Sequence, residues 1–199
     1  HMGNEGVIGP GDVQWMTAGR GVLHSEMPEQ EQGLMHGFQL WLNLPAAEKL
    51  KPAAYRDIRS GEIAVYLDES GSEVRVIAGE VGIEETRLAG CLPAMVTTPL
   101  MADLSVAADA QVTLDTGDYE QVWVFVYAGA CAGLKAGQLG VFGSGDKLVL
   151  HAGDSGLEAL VLSGKPLREP IVQYGPFVMN RSEEIEQAIS DYREGRLVS

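Results

Sequence analysis

His24 and Glu26 stand two residues apart in Val22-Leu23-His24-Ser25-Glu26. In an extended segment alternate side chains share a face, so His24 and Glu26 project one way while Leu23 and Ser25 project the other. An imidazole suits Fe, Ni, Cu or Zn, and a carboxylate adds a hard anionic donor. The pair therefore has the make-up of a half-site for a divalent transition metal. It equally suits a surface strand with one polar face, and two donors alone leave both readings open.

The flanking residues must position that pair. Gly9, Pro10, Gly11 and Asp12 predict a tight turn joining Val7-Ile8 to Val13-Gln14-Trp15-Met16 as a hairpin, and Ala18-Gly19-Arg20-Gly21 predicts a second turn just before His24. Residues 27–33 read as a polar loop. Phe38, Leu40 and Leu42 alternate with Gln39, Trp41 and Asn43, the pattern of a half-buried strand in a barrel wall. Residues 45–50 carry Pro in the first turn of a short helix, residues 51–58 form a connector, and Ser60-Gly61 marks a domain boundary. Short β-patterned runs follow at 63–67, 74–78, 95–98, 101–106, 111–114, 121–127, 138–142, 147–150 and 157–162, which argues for a β-barrel or sandwich. One helix closes the chain. Asn180 and Glu183 are its expected capping box, Ile185, Ile189 and Tyr192 its apolar stripe, and Gly195 its stop.

Composition narrows the function classes. The 199 residues are 45% hydrophobic, as in a globular protein, and 28 acidic against 14 basic residues give a net charge of −14. No basic cluster is present to neutralise phosphates, so direct nucleic-acid binding is not expected. No apolar run is long enough to span a bilayer. Cys91 and Cys131 lack C-x-x-C spacing, and with no signal peptide ahead of them they are expected as reduced thiols in a cytoplasmic protein. His1-Met2 reads as an expression remnant and is set aside.

The run from Pro10 to Gly21 with His24-Ser25-Glu26, together with Gln39-Leu40-Trp41-Leu42-Asn43-Leu44 and Gln173-Tyr174-Gly175-Pro176-Phe177-Val178-Met179-Asn180, resembles the signature segments of the pirin family. Pirins are two-barrel members of the cupin superfamily. The resemblance implies an all-β fold of two cupin (jelly-roll type) β-barrels, the first incomplete, with a short C-terminal α-helix. Residues 3–60 would be the C-terminal part of the first, metal-site barrel plus connector, and residues 61–199 the second barrel with the helix.

An internal repeat supports duplication. Gly6, Val7, Gly9, Gly11, Asp12, Ala18 and Gly19 recur without gaps as Gly140, Val141, Gly143, Gly145, Asp146, Ala152 and Gly153. His24 then aligns with Glu158 and Glu26 with Leu160, so a metal belongs to the first barrel alone. The same alignment predicts that roughly 70 to 75 residues of the first barrel are missing, about six or seven strands. The chain thus looks like an N-terminally truncated pirin.

In pirins the metal, usually Fe(II), is held by three His and one Glu, two of the His lying upstream in a segment with no counterpart here. By resemblance, His24 and Glu26 are metal ligands and Glu26 is also a candidate base. Two ligands bind weakly. His36 and His151 are expected in structural or exposed roles, and Trp15, Trp41, Trp123 and Tyr127 in the core, as aromatics of barrel walls. The family implies a quercetin 2,3-dioxygenase acting on a flavonol, with activity impaired in this chain. The alternative it implies is a metal- or redox-responsive regulator that binds a transcription regulator or a metabolic enzyme. An opened first barrel, with its strand edges and apolar interior, predicts self-association through residues 6–43 or their pairing with the second barrel.

Overall fold

The computed structural model describes residues 6–92, 95–131 and 133–198; His1 and Met2 lie outside them. The described residues form two compact units, one of 6–9, 13–57 and 167–198, the other of 10–12 and 58–166. The change of unit at 57/58 lies close to Ser60-Gly61. The tail from Leu167, counted above with the second barrel, groups with 13–57.

In the first unit β1 (Val13–Thr17) pairs with β2 (Ala54–Ile58). The expected hairpin partner of β1 is not formed, because Val7 and Ile8 carry no strand. Gln14 donates to the Tyr55 hydroxyl at 2.7 Å, and that hydroxyl donates to Asp57 at 2.5 Å, a polar relay across the β1–β2 pair. Residues 22–26 and 38–43, both expected as strands, carry no regular secondary structure. Alternation is only a side-chain pattern, and it yields a strand where a ladder of backbone hydrogen bonds forms. The short helix expected at 45–50 is a single 3-10 turn, Ala46–Glu48.

The second unit holds β3 (Ala64–Leu67), β4 (Glu73–Ala78), β5 (Glu80–Ile83), β6 (Thr86–Ala89), β7 (Leu100–Val106), β8 (Gln111–Asp115), β9 (Val122–Cys131), β10 (Leu134–Lys135), β11 (Gln138–Phe142) and β12 (Lys147–Ser163). They make one ten-stranded sheet in the order β3-β4-β7-β12-β8-β5-β6, with β9 joining β12 to β10 and β11. β12 carries the architecture. Its first half pairs with β8, and its second half lies between β7 and β9, so one long strand belongs to both walls of a nearly closed barrel.

The core follows from alternation on these strands. Val74 and Val76, Leu100, Ala102 and Leu104, Val122, Val124 and Val126 point inward, while Arg75, Asp103 and Trp123 point out. Fully burying one such aliphatic side chain is worth about 1.5–3 kcal/mol, so this layer dominates the unit's stability. Residues 95–98, expected as a strand, form a turn instead. Thr98 takes φ +37° and its N–H donates to the Met95 carbonyl at 2.9 Å, just ahead of Pro99.

The Pro10–Asp12 turn belongs to this second unit. Asp12 accepts from the Ser60 N–H and from the Arg59 guanidinium, each at 2.8 Å, and the Gly11 carbonyl accepts from Arg75 at 2.7 Å. Gly11 sits at φ +76°, whereas its repeat counterpart Gly145 does not adopt a left-handed backbone.

The first unit ends with the hairpin of β13 (Val172–Tyr174) and β14 (Phe177–Met179), then α1 (Ser182–Arg193). The capping carboxylate is Glu184, one residue beyond the expected Glu183; it accepts from the Asn180 and Arg181 N–H groups at 3.1 and 3.0 Å. Lys49 is buried and donates to Asn43 Oδ1 at 2.7 Å and to the Val178 carbonyl at 3.1 Å. Burial lowers its pKa, opposed by Glu169 and Glu184. Among the described residues no helix is long and apolar enough to cross a membrane.

Candidate metal half-site

Although residues 22–26 form no strand, His24 and Glu26 still converge: His24 Nδ1 lies 3.8 Å from Glu26 Oε1. Their side chains are 41% and 59% exposed, so the pair is open to a ligand from solvent. Gln39 is the residue that sequence reasoning missed. Its Nε2 lies 3.3 Å from both Glu26 oxygens and holds the carboxylate from the side. The signal was there, in the polar positions between Phe38, Leu40 and Leu42, but its target depends on the path of the intervening loop.

The remaining candidates lie apart from this pair. His36 packs against the Phe38 ring, centroids 5.2 Å apart. His151 lies exposed on β12 opposite Gln111. Trp41 and Trp123, expected in the core, are 66% and 45% exposed, which corrects that expectation; Trp123 faces outward from the β9 wall. Cys91 and Cys131 are free thiols, and burial pushes the Cys131 thiol up.

The repeat counterpart of His24 has other chemistry. Glu158 accepts from Ser105 Oγ at 2.8 Å, and its second oxygen is 3.2 Å from the Tyr127 hydroxyl, which also lies 2.8 Å from Asp103. Burial and the Asp103 carboxylate raise the Tyr127 pKa strongly, so the phenol keeps its proton. Leu160, the counterpart of Glu26, is buried.

Among the described residues no group of three or more His, Cys, Asp or Glu side chains is arranged to hold a metal ion. The chemistry of the two donors suits a divalent transition metal, but among the described residues they do not by themselves close around one.

The near-closed barrel of the second unit defines a cupin-type β-barrel protein. Two family descriptions match: "Pirin" over residues 1–42 and "Pirin C-terminal cupin domain" over residues 101–198. A Pseudomonas aeruginosa protein provisionally named as a quercetin 2,3-dioxygenase is 44% identical over 204 residues, covering 99% of this chain and 71% of its own length. Human pirin is 38% identical over 201 residues, covering 98% of this chain and 68% of its own. The crystal structure of a quercetin 2,3-dioxygenase from Acinetobacter baumannii superposes with a TM-score of 0.82 at 35% identity, over 95% of this chain and 67% of that one. This chain belongs to the pirin family.

Proposed function

We propose that the chain carries part of the catalytic half of a pirin-type quercetin 2,3-dioxygenase, with His24 and Glu26 as two of its metal ligands. The observation that carries the reading is the 3.8 Å approach of His24 to Glu26 on an exposed segment. The relatives' names support the substrate class. On this reading Glu26 takes the proton of a flavonol hydroxyl, and Gln39, bonded to both its oxygens, orients the carboxylate. Held by these two donors alone, Fe(II) binds weakly and flavonol turnover is slow.

The test is oxygen uptake with quercetin at saturating Fe(II), beside anaerobic Fe(II) titration of the chain and its His24→Ala variant. Slow flavonol-dependent uptake is expected, with Fe(II) affinity at least about tenfold lower in the variant. Absence of flavonol-dependent uptake at saturating metal would remove the reading. The second reading, a binding protein for a regulator or a metabolic enzyme, draws on the net charge of −14, which favours a basic protein surface as partner. Tight binding of such a partner without turnover would support it.

A further inference from the structure

At one corner of the second unit the barrel wall is not closed by hydrogen bonds. β8 ends at Asp115, paired with Lys147 at the start of β12, and β9 starts at Val122, paired with Phe142 at the end of β11. β9 meets β12 only from Ala152 onward, so among the described residues no ladder links residues 147–150 to β9 or β11. Between the two strand pairs lies a cavity of about 220 Å³, floored by Val122, Phe142 and Leu148 and bordered by the loop of Gly143, Ser144 and Gly145. The loop adds little bulk, since a Cβ at Gly143 or Gly145 would meet no other atom within 4 Å.

Thr116 supplies the polar feature. Val112, Leu114 and Thr116 alternate along β8 and just past its end, and all three are buried, so Thr116 continues the inward face and lines the cavity at 3% exposure. Its backbone is fully used: the N–H donates to the Asp146 carbonyl at 3.0 Å, and the carbonyl accepts from the Tyr119 N–H at 2.9 Å. Its hydroxyl has no hydrogen-bond partner among the described residues. An unpaired hydroxyl at a buried position is costly, and the group that pairs this one comes from whatever fills the cavity.

Size and charge narrow the occupant. An apolar cavity of about 150 Å³ holds benzene and drug-sized ligands take about 300 Å³ or more, so 220 Å³ suits a single ring. The Asp115 and Asp146 carboxylates both converge on Gly117, with oxygens 3.6 and 3.7 Å from where its Cβ would stand, and Lys147 is the one cation lining the cavity. An anion is disfavoured beside these carboxylates, and an ammonium would lose its water against Val122, Phe142 and Leu148.

We propose that this corner of the second barrel binds a neutral single-ring compound bearing a hydroxyl, a phenol above all. The ring lies against Val122, Phe142 and Leu148, and its hydroxyl bonds the Thr116 hydroxyl. No residue of the site comes from 6–57 or 167–198, so it stands or falls independently of the dioxygenase reading.

The test follows the Val122 and Leu148 methyl resonances of the full chain during titration with phenol at neutral pH, where phenol is uncharged. Toluene and benzoate serve as comparison ligands, and Thr116→Val keeps the shape of the side chain without its hydroxyl. Expected are saturable shifts centred on these methyls, a phenol dissociation constant at or below about 1 mM, toluene bound at least about fivefold more weakly, and no saturable shift with benzoate. In Thr116→Val the preference for phenol over toluene should vanish while toluene binds as before. The wild-type comparison of phenol with toluene decides the matter even where the variant does not fold. No saturable shift at about ten times that phenol concentration, or equal shifts at the core methyls of Val74 and Leu104, overturns the site. Toluene bound as tightly as phenol, or a phenol preference unchanged in Thr116→Val, overturns recognition by Thr116. Benzoate bound as tightly as phenol overturns the neutral class of ligand.

Discussion

Asp68 shows how one acidic side chain shapes the second unit. It turns the chain from β3 to β4, accepting from the N–H groups of Ser70 and Ser72 at 2.8 Å each and from the Ser70 hydroxyl at 2.6 Å. The Ser70 hydroxyl, then the backbone donors, hold its carboxyl below the ordinary 3.8 despite partial desolvation. A carboxylate whose folded pKa is depressed contributes stability above its unfolded value, and the contribution is lost as pH falls through the folded value. Asp68→Asn is therefore expected to cost about 1 kcal/mol near neutral pH, a modest figure because the turn is solvated. Below pH 3.8 the variant and the parent should converge. Urea midpoints measured at pH 6 and pH 3 check this, and an equal gap at both would rule out the carboxylate as the cause.

At the scale of elements, β12 depends on glycine. Gly129 on β9 has φ +69°, and a Cβ there would lie 2.0 Å from the Gly156 carbonyl oxygen, where β12 bulges between Ala152 and Leu157. Both the backbone conformation and the close approach exclude a side chain. Gly129→Ala is expected to destabilise the barrel by about 3 kcal/mol or more, read as a shift of the denaturant midpoint. A shift within experimental error would mean that the two strands can part locally.

This bulge also marks the limit of what the sequence discloses. Leu148 and Leu150, and again Leu157, Ala159 and Val161, alternate plainly, so both halves of β12 were legible as strands. Gly153, Asp154, Ser155 and Gly156 between them read as a turn, and only the pairing of one half with β8 and the other with β7 and β9 makes them one strand. β5 and β6 were missed because their exposed positions carry Glu80, Thr86 and Arg87 around few apolar residues. At the candidate site the donors and the Pro10–Asp12 turn were visible as residue types. The role of Gln39 was not, because it is fixed by a contact thirteen residues back along the chain.

Across the whole molecule the buried mass is unevenly shared. Among the described residues the first unit contributes only Lys49 and Ile185 to the buried set, while the second supplies the rest. Residues 21–45 have no regular elements, and the half-site rides on them. Local opening costs least where few apolar groups are buried and backbone is exposed. In hydrogen exchange, amides of β4, β7, β9 and β12 should exchange through global unfolding, at least about a thousandfold slower than those of 21–37. A brief protease digestion should cut within 27–37 and leave the 58–166 barrel intact.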